Sequence, residues 1–131
     1  MMGTNYYHHE TPPCETCRRE DEPRHVGKSS AGWCFSLHVY PDEGIRDLPD
    51  WQARWARGLL RDEYGRPVTP EDMLAVITIR FGYAGTPAPD PTWLRQNHAV
   101  AGPHSLARYR IDDRCIGHGD GPYDLMVGEF S

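Results

Sequence analysis

Glycine and proline recur along the whole chain and keep each regular element short. The 131 residues include 13 Gly and 12 Pro, and these are spread through the sequence rather than collected in one tract. Such spacing is typical of many turns between short elements. Because 38% of the residues are hydrophobic, enough for one core, we predict a single domain over residues 1–131.

Strand and helix signals alternate along the chain and predict an α+β fold, with an antiparallel sheet and two to three helices. The predicted strands are residues 4–9, a hairpin over 24–38 with its turn at 28–32, and residues 106–111 and 123–127. The predicted helices start near Asp47 or Asp50, at Thr69 and at Asp90. The expected helical core residues are Trp51, Trp55, Leu59, Met73, Leu74, Ile77 and Phe81, which recur at helical spacing.

The strongest chemical signal is the pair Cys14 and Cys17 in the segment CETC. Two thiolates separated by two residues can hold one Zn²⁺ from a single turn, and a structural zinc needs two more ligands. The predicted hairpin turn would place His25 opposite Cys34 on one face. We therefore predict a zinc knuckle with the ligands Cys14, Cys17, His25 and Cys34, since ligands near in sequence close a small loop.

The sequence is also compatible with other zinc ligand sets. His38 shares a face with Cys34 and is an alternative fourth ligand. Cys115 and His118, in a C-x-x-H arrangement, are an alternative second half of the site. Unmetallated thiols are a further alternative. A redox role is disfavoured because residues 18–23 form a charged segment that ends in proline rather than a helix start.

The segment GKSS at residues 27–30 has the composition of a phosphate-binding turn. It lacks the upstream glycine of a complete P-loop, because Glu22 stands there, and strand-like residues follow it. We predict that Lys28, Ser29 and Ser30 contact an anionic ligand from an exposed turn.

The loop GHGDGPYD places His118 and Asp120 among glycines that allow close approach of a ligand. We predict that both residues contact the ligand. General acid/base work by this pair on a phosphodiester is the catalytic alternative.

Charge and hydropathy exclude several classes of protein. A net charge of −5 argues against general binding to nucleic-acid backbones, which requires clustered Lys and Arg. No apolar run is long enough to cross a membrane, and the first residues have no signal-peptide character. We therefore expect a cytoplasmic protein without membrane contacts, in which a metal site is favoured over disulfides.

Several blocks of the sequence together resemble a group of small bacteriophage-encoded proteins: MGTNYY, the C-x-x-C pair, HVGKSSAGWCFSLH, DEYGRPVTPEDML and CIGHGDGPYDLMVGEFS. The resemblance covers most of the chain. It implies a phage origin and action in the host cytoplasm, with a role on host machinery or host defence, and it implies no particular reaction.

The functional hypothesis from the sequence is a zinc-stabilised phage binding module. Its expected partner is a host protein or a small anionic, nucleotide-like ligand, contacted through the hairpin turn and the C-terminal loop. The alternative is a nuclease or phosphodiesterase acting on a nucleotide signal, with His118 and Asp120 as the acid/base pair and Lys28 on the phosphate.

Overall fold

A seven-stranded mixed sheet organises the part of the chain that the computed structural model describes, which is residues 3–9, 23–30, 32–79 and 90–128. The strands are β1 Gly3–His9, β2 Arg24–Ser30, β3 Phe35–His38, β4 Leu59–Asp62, β5 Pro67–Val68, β6 Ala99–Ala101, β7 Ala107–Tyr109, β8 Cys115–His118 and β9 Tyr123–Met126. The α-helices in these ranges are α1 Leu48–Trp55, α2 Pro70–Thr78 and α3 Pro91–Gln96, and short 3-10 turns lie at Pro41–Glu43 and Pro103–Ser105. The CETC segment and Phe81 lie outside the described residues.

The strand order of the large sheet is β5-β4-β1-β2-β3-β9-β8, and β6 pairs with β7 in a separate two-stranded sheet. The small α+β domain of the prediction is confirmed, but a purely antiparallel sheet is wrong, because β3 and β9 run parallel. A parallel pair needs a long connection. Here α1, α2, α3 and five strands separate the two partners along the chain, so β9 can enter beside β3 in the same direction.

The three helices begin where the sequence predicts. The side chain of Asp47 accepts a hydrogen bond from the backbone N–H of Asp50 (3.0 Å), and that of Thr69 accepts one from Asp72 (3.1 Å). Asp90 caps α3 in the same way. A proline in the first turn of each helix presets the backbone angle.

The first helix ends earlier than the helical spacing of Trp51, Trp55 and Leu59 predicts. Helix α1 stops at Trp55, and Leu59 already belongs to β4. Gly58, with φ of 75°, turns the chain out of the helix before the strand begins. Strands β4 and β5 then pair as a small hairpin, with Leu60 opposite Val68.

The main core lies between one face of the sheet and the helices α1 and α2. Phe35 and Leu37 of β3 are fully buried there. Of the predicted helical core, Trp51, Trp55, Met73 and Ile77 are buried, whereas Leu59 and Leu74 are half-buried. The burial of these side chains confirms that α1 and α2 pack against the sheet, as the helical spacing of their apolar residues predicts.

The opposite face of the sheet is covered by α3 and the β6–β7 pair. The sequence predicted β7, within residues 106–111, but not β6. The backbone N–H of Cys34 donates to Ala107 (2.8 Å), which joins β7 to the start of β3. Trp33 packs with Leu94, Ala99 and Ala107 in this second cluster, not with Phe35 and Leu37 as alternation predicts. Trp33 forms an isolated β-bridge with Ala107 before β3 begins, so the alternation of side chains along β3 does not determine which way Trp33 faces.

Within the described ranges, no helix combines the length and the apolar character that crossing a membrane would require.

Replacing Ile77 with Ala tests the assignment of the helical core. Ile77 is fully buried, whereas Ile79, just after α2, is 66% exposed. Ile77→Ala should lower the free energy of unfolding by about 2–5 kcal/mol, because it removes apolar contacts and leaves a cavity. The matched control Ile79→Ala should change it by less than about 0.5 kcal/mol. Urea unfolding measures both, and equal losses in the two variants would contradict this packing.

Candidate functional site

A bulge in β2 decides which side chains face the candidate site. Tyr6 pairs with Gly27 and Tyr7 pairs with His25, so Val26 is an extra residue in the ladder. Val26 points into the main core. Because it is an extra residue in β2, the side chains after it face the opposite side of the sheet from the side that regular strand alternation would give. His25 and Lys28 therefore share the face opposite to the main core.

Glycine is required at the bulge. A Cβ at Gly27 would collide with the carbonyl oxygen of Ser36 and with the ring of Phe35. The close approach of β2 and β3 at this point depends on the missing side chain.

A cleft opens on this second face of the sheet, between the sheet and the layer formed by α3 and β7. Its volume is about 260 Å³. The floor is formed by Lys28, Ser30, Ser36, Met126 and Val127, and the walls by Asn97, His98, Tyr109, Asp112, Arg114 and Cys115. The cleft thus joins the GKSS segment to the end of α3 and to the turn before β8.

The cleft carries two cations and one anion at fixed positions. Lys28 has no ion-pair partner within the described residues and contributes a positive charge at the floor, and Arg114 contributes one at the wall. Asp112 accepts hydrogen bonds from the backbone N–H groups of Cys115 (3.0 Å) and Arg114 (2.8 Å) through one carboxylate oxygen. These bonds lower the pKa of Asp112, so its carboxylate is ionised at neutral pH.

A buried ion pair holds the wall of the cleft against the sheet. Arg108 of β7 donates from Nε to Asp124 of β9 (2.8 Å), and the backbone N–H of Tyr109 donates to the other oxygen of that carboxylate (3.0 Å). Asp124 is fully buried. Trp33 stacks on the ring of Tyr109 with centroids 4.8 Å apart, which fixes this aromatic side chain at the edge of the cleft.

Cys115 and His118, the alternative second half of the predicted metal site, contact the same backbone carbonyl group. The Sγ of Cys115 and the Nε2 of His118 both contact the carbonyl oxygen of Tyr109, at 3.8 and 2.7 Å. Burial raises the pKa of the Cys115 thiol to about 11, with the Asp124 carboxylate as the second cause. In the absence of a metal ion the thiol is therefore protonated at neutral pH.

Of the predicted ligand contacts, Lys28 and Ser30 line the cleft, and Ser29, His118 and Asp120 do not. The predicted exposed turn at residues 28–30 is wrong, because these residues belong to β2. Strand alternation turns Ser29 away from the face that carries Lys28 and Ser30. His118 lies in β8 and the exposed Asp120 follows it.

The predicted pairing of His25 with Cys34 is also wrong. Gly27 lies opposite Leu37 and Lys28 opposite Ser36, so Cys34 falls near the end of β2 and away from His25. The Sγ of Cys34 packs close to Gly102 instead. The bulge and the longer β2 together shift the register that the sequence predicts.

His25 contacts His38, the alternative ligand. Their Nδ1 atoms are 3.0 Å apart, and the Nε2 of His25 bonds to the Oδ1 of Asn5 at 2.8 Å. The ring of Tyr40 stacks on His38 with centroids 4.2 Å apart, and its hydroxyl donates to the carbonyl oxygen of His25. Burial lowers the pKa of both histidines to about 4, and the Lys28 ammonium adds to the shift at His25.

Cys14 and Cys17 lie outside the described residues. Among the residues that are described, no three His, Cys, Asp or Glu side chains form a metal-binding group.

Sequence reasoning missed Asn97, Tyr109 and Arg114 in the cleft and Asn5 beside His25. No motif marks these residues, because each reaches its site through strand pairing between distant segments. Asp112, in the bend before β8, also lines the cleft.

Comparisons of the chain with protein-family models, with curated proteins and with solved structures found no match.

The histidine pair predicts how stability depends on pH in protein treated with a chelator. The pKa of each imidazole is about 4 in the folded state, against an ordinary value of 6.5. Between these values the unfolded chain binds more protons, so stability is complete above pH 6.5 and is lost as the pH falls toward 4. Because both rings are partly solvated, the loss of stability should be smaller than the full value of about 1.36 kcal/mol per pKa unit.

Urea unfolding at a series of pH values from 7 to 4 measures this loss. His38→Gln should flatten the dependence, whereas the exposed control His104→Gln should leave its slope as in the wild type. A slope that is unchanged in His38→Gln would show that the pair does not cause it.

Proposed function

We propose that the protein is a binding module for a small anionic ligand, which it holds in the cleft between the sheet and the α3–β7 layer. The observation that carries the proposal is that one cleft joins Lys28 and Ser30 to Arg114 and Asn97. An ammonium, a guanidinium, a hydroxyl and an amide facing one small volume are the donors that a phosphate or carboxylate requires.

The size of the cleft limits the ligand. Pockets for drug-sized ligands usually have volumes of about 300–1,000 Å³. The volume here, about 260 Å³, lies just below that range. It favours inorganic phosphate, a phosphorylated metabolite or at most a mononucleotide over longer oligonucleotides.

The charges of the cleft point in the same direction. Lys28, which has no ion-pair partner within the described residues, places an ammonium in the cleft of a protein whose overall charge is −5, so this part of the cleft contrasts with the rest of the molecule. The second oxygen of Asp112 is available to accept from an N–H or O–H group of the ligand, such as those of a ribose or a nucleobase.

Binding is favoured over hydrolysis by the positions of the residues predicted to catalyse it. His118 and Asp120 lie outside the cleft that contains Lys28, and His118 uses its Nε2 on the carbonyl oxygen of Tyr109. A phosphate held by Lys28 would therefore not meet this pair. The resemblance to phage proteins adds the proposal that the ligand comes from the host cytoplasm.

Lys28→Ala tests this proposal, with Ser29→Ala as a matched control on the opposite face of the same strand. Loss of a charge-assisted contact typically removes about 1.5–3 kcal/mol, which corresponds to roughly a 10- to 150-fold weaker affinity. Titration calorimetry with inorganic phosphate and with AMP should show this loss for Lys28→Ala, and wild-type affinity for Ser29→Ala. Arg57→Ala, which removes an exposed cation away from the cleft, controls for net charge.

Three outcomes would contradict the proposal. Equal losses in Lys28→Ala and Arg57→Ala would mean that only the overall charge matters. Formation of a product that disappears in His118→Ala would favour the nuclease or phosphodiesterase. Absence of binding to either probe at millimolar concentration would leave a host protein as the favoured partner.

A further inference from the structure

We propose that the ligand of the cleft carries an ammonium group as well as its anionic group, with Lys28 binding the anion and Asp112 binding the ammonium. The inference rests on the proposed anion binding and names the class of ligand, a small zwitterion with a phosphate or a carboxylate at one end. It follows from the position of a carboxylate in the same cleft as a lysine.

Asp112 places a full negative charge on the wall of the cleft. Its Oδ1 accepts from the backbone N–H groups of Arg114 (2.8 Å) and Cys115 (3.0 Å), and these bonds lower the pKa of the carboxyl group. Among the described residues Asp112 forms no ion pair with a lysine or an arginine. Arg110, whose charge also acts on Asp112, donates to the Nδ1 of His98 at 3.1 Å instead. The Oδ2 of Asp112 is therefore available to a donor on the ligand.

A ligand with only an anionic group would meet this carboxylate as a like charge. Because both charges would share a cleft of about 260 Å³, their repulsion lowers the affinity. An ammonium on the ligand replaces this repulsion with an attraction. The cleft therefore favours a zwitterion over a plain anion with the same phosphate or carboxylate group.

Lys28 and Asp112 lie at opposite ends of the cleft. Lys28 belongs to β2, and Asp112 is bonded to Cys115 at the start of β8. Strands β3 and β9 lie between β2 and β8, so the backbones of β2 and β8 are about 14 Å apart, at about 4.8 Å per strand. The Lys28 stem leans toward β1 and away from β8, since its Cε lies against the position that a Cβ of Gly3 would take. We therefore expect the two charged groups at opposite ends of a short chain.

The ring of Tyr109 adds a second contact for an ammonium on the wall that carries Asp112. Cys115 contacts both residues, because its backbone N–H donates to Asp112 and its Sγ donates to the carbonyl oxygen of Tyr109 at 3.8 Å. Trp33 stacks on one face of the Tyr109 ring, so the opposite face is the one left for a ligand. Aromatic faces attract cations within about 6 Å of the ring centroid. The wall thus suits an ammonium, whereas Lys28 at the floor suits an anion.

Titration calorimetry of the full chain with two pairs of probes tests the inference. Phosphoethanolamine differs from ethyl phosphate by an ammonium group, and β-alanine differs from propionate in the same way. In the wild type, the zwitterion of at least one pair should bind about 2- to 5-fold more tightly than its partner, which is the gain expected from an exposed ion pair. The pair that shows this gain identifies the anionic group as a phosphate or a carboxylate.

Asp112→Asn shows whether Asp112 causes the preference. Asparagine keeps an oxygen that accepts the two backbone N–H bonds, but it removes the charge. The variant should bind the zwitterion more weakly than the wild type and the plain anion more tightly. Loss of folded structure cannot produce these opposite changes. Asp113→Asn, at an exposed carboxylate that does not line the cleft, removes the same charge and should keep the wild-type preference.

Two results would overturn the inference in different ways. Zwitterions that bind no more tightly than their partners, or a preference that survives in Asp112→Asn, would overturn it and leave anion binding by Lys28 intact. Absence of binding of all four probes at millimolar concentration would overturn both the inference and the proposed function.

Discussion

The buried ion pair between Arg108 and Asp124 is the contact on which the second layer of the domain depends. A fully buried carboxylate is unfavourable unless hydrogen bonds satisfy it, and here Arg108 Nε and the backbone N–H of Tyr109 each bind one of its oxygens. The same guanidinium also donates to the carbonyl oxygens of Gly121 and Tyr123. Removal of one partner of such a pair typically costs about 3–5 kcal/mol, because a buried charge remains uncompensated. The pair thus fixes β7 over β9, and the cleft exists because this layer stands at a fixed height above the sheet.

Local signals in the sequence predicted the elements that local chemistry determines. Asp47, Thr69 and Asp90 cap the helices at the expected positions, since an N-cap needs only its own side chain and the next few backbone N–H groups. The predictions that were wrong depend on pairing between strands that are distant in sequence. Leu59 continues the helical spacing of Trp51 and Trp55, yet it lies in β4 because Gly58 ends the turn that follows α1 and β4 pairs with β1. The parallel pairing of β3 with β9 depends on the path of the chain between them, which no local pattern records.

In the candidate site too, the sequence predicted what depends on residue type and missed what depends on pairing between distant strands. Lys28 and Ser30 were identified from their residue types, whereas Ser29 was included only because a turn was expected where the structure has a strand. The bulge at Val26 explains why His25 meets His38 rather than Cys34, and a one-residue insertion of this kind leaves no clear trace in a hydropathy pattern. Arg114 reaches the cleft through the pairing of β8 with β9, far from Lys28 in sequence.

The most direct test of the central claim, that the cleft binds a small anion, is an NMR titration of the ¹⁵N-labelled full chain with inorganic phosphate. If the cleft binds phosphate, saturable shifts are expected at the backbone amides of Lys28, Ser30, Asn97 and Arg114, which surround the cleft. The amides of Ser29, His118 and Asp120 should move less, because their side chains lie outside it. Shifts that centre on residues 117–120, or that grow linearly without saturation, would contradict the account.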